Sequence, residues 1–244
     1  MIHHSPLDNV RVILSHTSHP GNIGGSARAM KTMGLSSLYL VNPQSFPDNE
    51  AYVRATNARD ILDTAVICST LDIALQDCVL AVAMTARARE LTHPVLDTRQ
   101  AAQKLVAIAT KSPVALVFGR ESSGLTTAEV TKCQLTVHIP TNPVYASLNL
   151  AAAVQIMCYE LRMATMDSEC KPPRHEMQQL ASLNEIELFY QHLEQALIAK
   201  KFLDPQQPKR LMQRIRRLFS RTTLEKEEIN ILRGIIHAFE KEEP

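Results

Sequence analysis

Five short runs dominated by Val, Ile and Leu recur along the first part of the chain: VRVIL (10–14), LYLV (38–41), VLAVA (79–83), VALVF (114–118) and LTVHI (135–139). Four are nearly continuous in apolar residues, which suits strands covered on both faces. Helical patterns separate them. Ile23–Met33 closes at Gly34, Leu71–Leu75 follows Thr70, and Thr126-x-x-Glu129 has the form of a capping box. This alternation predicts an α/β fold, a mostly parallel sheet with helices on both faces. A further helix, from Leu148 to about Met163, is apolar on most sides, so its place is in the core or against a second subunit.

Composition shifts at DSECKPPRH (167–175), where a Pro-Pro pair forbids helix. The predicted organisation is an α/β domain over residues 1–165, a linker over 166–176 and a helical extension over 177–244. Three amphipathic stripes make up that extension: Ile186/Phe189/Tyr190/Leu193/Leu197, Leu211/Met212/Ile215/Leu218/Phe219, and Ile229/Leu232/Ile235/Ile236/Phe239. A Thr222-x-x-Glu225 box is expected to cap the third.

Several function classes are excluded. Net charge is +1 and charged residues make up 21%, so the chain is neither a disordered polyampholyte nor uniformly basic. No stretch approaches 18 uninterrupted apolar residues, which removes a membrane span. The polar start, Met1 to Asp8, carries no signal-peptide core. Cys68, Cys78, Cys133, Cys158 and Cys170 form no CxxC pair, as expected for free thiols in the cytoplasm. Walker, GxGxxG, HExxH and GxSxG motifs are absent, as is zinc-ligand spacing, so no metal is expected.

Glycine is scarce, and five of its seven occurrences fall at Gly21/Gly24/Gly25 and Gly119/Gly124. SHPGNIGGSARAMKTMG (18–34) follows a strand and opens a helix, a junction that presents free N–H groups to an anion, with Asn22 a plausible N-cap and Arg28 nearby. A plain turn with a surface arginine reads equally well. VFGRESSGL (117–125) would bend at the carboxyl edge of the sheet, where open α/β folds bind ligands, or form a solvated turn. In YASLNLAAAVQI (145–156), Ser147 or Asn149 starts the long helix, a pattern that serves capping as readily as function.

Taken together and in this order, NIGGSARAMKTMG, VFGRESSGL and YASLNLAAAVQI resemble the three motifs of the SPOUT class of knotted RNA methyltransferases, and within it the TrmJ-type tRNA 2′-O-methyltransferases. The resemblance spans residues 10–165 and continues into the helical extension. It implies a C-terminal trefoil knot in the α/β domain, S-adenosylmethionine as co-substrate, a homodimer whose site is completed across the interface, and tRNA as substrate. The implied target is a cytidine or uridine ribose at anticodon-loop position 32. Donor-binding residues would be Met84, Thr85, Ala86, Gly119, Ile139, Ser147, Leu148 and Asn149. Arg28 would be the key catalytic residue, oriented by Asn22 and Glu121. Ser147 would contact the hydroxyl, and Arg120 an RNA phosphate. Alternatives are ribosomal RNA 2′-O-methylation by a related enzyme, a non-catalytic RNA-binding protein of the same fold, or a small-molecule enzyme with a helical lid.

One electrostatic feature stands apart from the resemblance. Residues 200–221 hold eight basic side chains against Asp204 alone. The spacing of Arg210, Arg214, Arg217 and Arg221 places them along one helix face, a phosphate-binding stripe or a solvated face.

Overall fold

A computed structural model describes residues 5–86, 95–168 and 179–241. All five apolar runs form strands of one parallel sheet: β1 (Val10–Ser15), β2 (Leu38–Val41), β4 (Leu80–Met84), β6 (Val114–Phe118) and β7 (Leu135–His138). Two three-residue strands, β3 (Val66–Cys68) and β5 (Val95–Asp97), close its edges, giving the order β3-β2-β1-β6-β4-β7-β5. The last two strands in sequence thus occupy interior positions. β4 and β6 are buried at every residue, which explains their unbroken apolar runs.

Helices cover both faces. On one lie α1 (Pro20–Met33), α2 (Asn49–Ala55), α5 (Thr98–Ala109) and α7 (Leu150–Ser168), which share a core with Val12, Leu14, Val82, Leu116 and Phe118. The short α3 (Arg59–Asp63) follows α2 and adds Ile61 and Leu62 to that core. On the other face, Ile13, Ala81, Ala83, Ala115 and Val117 meet α4 (Leu71–Leu75), α6 (Thr127–Thr131) and α8 (Leu183–Ala199). Helix α8 buries Phe189 in this cluster, and the Leu183 N–H donates to Cys78 O at 2.7 Å. The helical extension therefore shares an apolar cluster with the sheet. It continues through α9 (Leu211–Ser220) and α10 (Lys226–Lys241).

Local signals held in part. Gly34 ends α1 at φ +83°, and Thr126 and Glu129 form their reciprocal capping box. Helix α1, however, begins at Pro20 with His19 as its cap, so Asn22 lies within the first turn. Thr222 does not cap α10: its hydroxyl donates to Phe219 O, and the Glu225 N–H donates to Glu228 instead. Helix α7 runs past residue 165, and residues 169–176 of the expected linker lie outside the described residues.

The glycines of the first motif serve packing. A Cβ on Gly24 would stand 2.0 Å from Ala51 O, and one on Gly25 2.9 Å from the Ala151 Cβ. They let α1 approach α2 and α7 closely. No described helix is long and apolar enough to cross a membrane.

Candidate active site

Parallel strands put their carboxyl ends along one rim, and that rim carries the chemistry-bearing loops. A cavity of about 270 Å³ opens there. Its walls come from Met84–Ala86 after β4, Phe118–Leu125 after β6, and Ile139, Thr141 and Ala146–Leu148 after β7, with Leu150 and Ala153 of α7. Seven of the eight residues expected to hold the donor are in these walls: Met84, Thr85, Ala86, Gly119, Ile139, Ser147 and Leu148. Asn149 is not.

The walls are fastened to one another. The Thr85 N–H donates to Val137 O at 3.0 Å, and His138 Nδ1 lies 3.2 Å from Thr85 O. Arg120 and Gly124 exchange backbone hydrogen bonds of 3.2 and 2.9 Å, pinching the 119–125 turn shut. Gly119 is required by this pinch, since its Cβ would meet the Gly124 carbonyl carbon at 2.2 Å, and Gly124 itself adopts φ +68°.

The anion site expected at the start of α1 is already filled by this chain's own carboxylate. Glu121 accepts from the Ser18 and His19 N–H groups at 3.1 and 3.3 Å, and from Asn22 Nδ2 at 2.9 Å. A negative charge at a helix N-terminus is favourable. Burial pushes the Glu121 carboxyl up, but the hydrogen bonds from Asn22 and Ser18 outweigh it and hold the group below the ordinary range. Asn149 joins the network by donating Nδ2 to Asn22 Oδ1 at 2.8 Å, while its Oδ1 caps α7 through the Ala151 N–H at 2.9 Å. Asn149 therefore lies outside the cavity wall, bonded to Asn22.

Arg28 and Arg120 are placed in opposite ways, one outward and one inward. Arg28 is exposed on α1, contributes nothing to this chain's cavity wall, and makes no hydrogen bond or ion pair among the described residues. Arg120, expected to meet RNA, turns Nη1 inward to Glu129 at 2.9 Å. Sequence reasoning assigned Glu129 a cap alone. Its second role has no sequence signal, because a capping glutamate reads the same with or without an arginine turned onto it.

On the extension, Arg210, Arg214 and Arg221 are exposed and Arg217 is half-buried. Their neighbour Arg216 is structural: it pairs with Glu187 at 2.6 and 2.7 Å and lies 4.4 Å over the Tyr190 ring.

The fold agrees with the known proteins this chain is similar to. The SpoU rRNA Methylase family model matches residues 9–159, and that of the tRNA methyltransferase TrmJ C-terminal domain matches residues 184–243. A tRNA (cytidine/uridine/adenosine-2′-O-)-methyltransferase TrmJ from Pseudomonas aeruginosa is 49% identical, with 96% of this chain and 95% of that one covered. A tRNA (cytidine/uridine-2′-O-)-methyltransferase TrmJ from Pectobacterium atrosepticum is 48% identical, with coverage of 96% and 98%. The crystal structure of TrmJ from Z. mobilis ZM4 superposes with a TM-score of 0.83 at 32% identity, over 95% of this chain and 99% of that one. On this match over both parts of its length, the chain belongs to the SpoU methylase family, in its TrmJ branch.

Proposed function

We propose that the chain transfers a methyl group from S-adenosylmethionine to a ribose 2′-hydroxyl of tRNA, at anticodon-loop position 32, with cytidine and uridine as targets. The observation that carries this reading is the rim cavity, walled by the second and third motifs, in a chain about half identical over nearly its full length to tRNA 2′-O-methyltransferases.

The cavity fits such a donor chemically. Met84, Phe118, Ile139 and Leu150 offer apolar surface for a purine ring, and the hydroxyls of Thr85, Thr141 and Ser147 offer polar partners at its edge. When bound, the donor supplies a sulfonium methyl carbon as the electrophile.

The chain's own residues then have two tasks: aligning the ribose oxygen and lowering the cost of charge developing on it as its proton leaves. Ser147, exposed on the cavity wall, contacts the hydroxyl or the acceptor of its proton. Asn22, gripped by Glu121 and Asn149, supplies a fixed amide beside it. Arg28 does not act as a base, because a guanidinium keeps its proton in proteins. It holds the adjacent phosphate and stabilises negative charge on the 2′ oxygen. Two copies of the chain bring an Arg28 to the cavity. Exposed Tyr159, Met163 and Met166 on α7 support that pairing. The exposed arginines on and flanking α9, Arg210, Arg214 and Arg221, hold the tRNA body.

Mapping ribose methylation by mass spectrometry in tRNA from cells lacking the protein tests the reading. Loss of the 2′-O-methyl group at position 32 is expected. A loss confined to ribosomal RNA would replace the substrate, and unchanged RNA would leave a binding protein. Arg28→Lys keeps the charge but loses the planar fork, so turnover is expected to fall roughly tenfold or more. Near-normal turnover would remove Arg28 from its role.

A further inference from the structure

The capping box that opens α6 contains a carboxylate with more partners than a cap needs. A capping glutamate returns one bond to the backbone N–H of its N-cap residue. Glu129 does this through Oε2, which accepts from the Thr126 N–H at 2.6 Å. The same oxygen also accepts from Arg120 Nη1 at 2.9 Å, and Oε1 accepts from Ser15 Oγ. His16 Nδ1 stands 3.7 Å from Oε1. The Glu129 side chain is only 11% exposed, so three segments converge on one buried charge: the end of β1, the 119–125 turn and α6.

That turn supplies seven of the cavity's wall residues, Gly119 through Leu125. Its rim is pinched by the Arg120–Gly124 backbone pair, and its two glycines have no side chains with which to fasten it. Glu121 ties the turn to the start of α1 and Leu125 packs into the core, while Arg120 is the side chain that ties it to Glu129.

We propose that Glu129 is a positioning residue of the cavity: its carboxylate anchors Arg120 and, through it, the 119–125 turn that walls the methyl-donor pocket. The proposal rests on the methyl-transfer reading above. Charge-assisted hydrogen bonds are the strong ones, and a guanidinium stripped of its buried partner turns toward water. The turn moves with it, and the wall it forms loses its shape. The effect falls on the donor rather than on the RNA.

Steady-state kinetics with full-length protein separate the two. Glu129→Ala and Arg120→Ala are each expected to raise KM for S-adenosylmethionine roughly tenfold, about the worth of one charge-assisted bond, with KM for tRNA little changed. The double variant is expected to be no worse than the weaker single one, because both remove one link. Glu129→Gln is expected to recover most of the loss, since an amide oxygen still accepts from Arg120 and its NH₂ donates to Ser15 Oγ. Thr126→Ala removes the cap hydroxyl but keeps the N–H that Glu129 accepts. It is expected to lower Tm and leave the donor KM unchanged. If Glu129→Ala does not fold, Arg120→Ala alone decides. An equal donor defect in Thr126→Ala would make Glu129 a cap and nothing more, and fully additive singles would break the link. A rise in tRNA KM alone for Arg120→Ala would return that residue to the RNA. Wild-type protein without donor affinity would instead overturn the methyl-transfer reading and this proposal together.

Discussion

Asn149 and Asn22 lie 127 positions apart in sequence, yet Asn149 Nδ2 donates to Asn22 Oδ1 at 2.8 Å. The bond joins the start of α7 to the first turn of α1, and Glu121 closes the network from the 119–125 turn. Asn149 also caps α7. Asn149→Ala is therefore expected to cost about 1 kcal/mol of stability, the ordinary worth of a cap, and in addition to lower kcat. Asn149→Ser, which can cap but not reach Asn22 with an amide, should recover the stability and not the rate. Denaturant unfolding and single-turnover methylation, measured side by side, check this split.

Two glycines give opposite expectations. Gly24→Ala would drive its Cβ to 2.0 Å from Ala51 O, a backbone atom that cannot step aside without moving α2. A loss of roughly 3 kcal/mol or more is expected, in the range of severe core overpacking. Gly124→Ala meets nothing within 4 Å and carries only the strain of φ +68°, about 1–2 kcal/mol. Comparison of urea midpoints for the two variants is the check, and the reverse order would mean that α1 and α2 pack less closely than described.

Glu129 gives a pH signature. Burial raises its pKa, yet hydrogen bonds from Ser15, Thr126 and Arg120 outweigh burial and take it from 4.5 down to about 2. A carboxyl with a depressed folded pKa stabilises above its unfolded value, and that contribution is lost as pH falls through the folded one. The shift is worth on the order of 3 kcal/mol, present above pH 4.5 and gone near pH 2. Glu129→Gln is thus expected to be less stable than wild type at pH 7, with the gap narrowing as pH falls below 4.5. Urea unfolding across that range reads the gap, and a gap independent of pH would contradict the ionised pairing.

The basic segment divides into holding and binding arginines. Arg216→Ala breaks the bidentate pair with Glu187 beneath the Tyr190 ring, and its expected effect is lower stability. Arg214 and Arg221 are exposed with no ion pair among the described residues, so Arg214→Gln/Arg221→Gln should leave Tm unchanged. The expected effect is weaker tRNA binding, with the slope of log affinity against log salt shallower by up to about 2. An unchanged slope would remove this face from the RNA path.

Much of the architecture was written in local pattern. VALVF and VLAVA are strands because an unbroken apolar run of that length pays its entropy only when covered on both faces. Val66–Cys68 and Val95–Asp97 escaped notice for the complementary reason: Val66, Ile67 and Val95 are exposed edge residues, and three residues carry no period. The cavity loops after β6 and before α7 were legible because the second and third motifs name them. What filled the start of α1 was not. Nothing near Ser18 in sequence announces a carboxylate that arrives from Glu121. The junction that carries the first-motif glycines offers an anion site or a plain turn in sequence, whereas in the structure Gly24 and Gly25 make room for Ala51 and Ala151. Helix patterns in the extension showed stripes but not that Phe189 joins the apolar cluster holding residues of β1, β4 and β6.

Equilibrium binding of S-adenosylmethionine, compared between wild type and Ala146→Trp, tests the central claim most directly. Ala146 lies in the cavity wall on a loop, half-buried, where an indole fills the space with little demand on the fold. The expected result is one donor bound per wild-type chain, and binding lost in Ala146→Trp at unchanged Tm. Undiminished binding by the filled variant would place the donor elsewhere and contradict the claim.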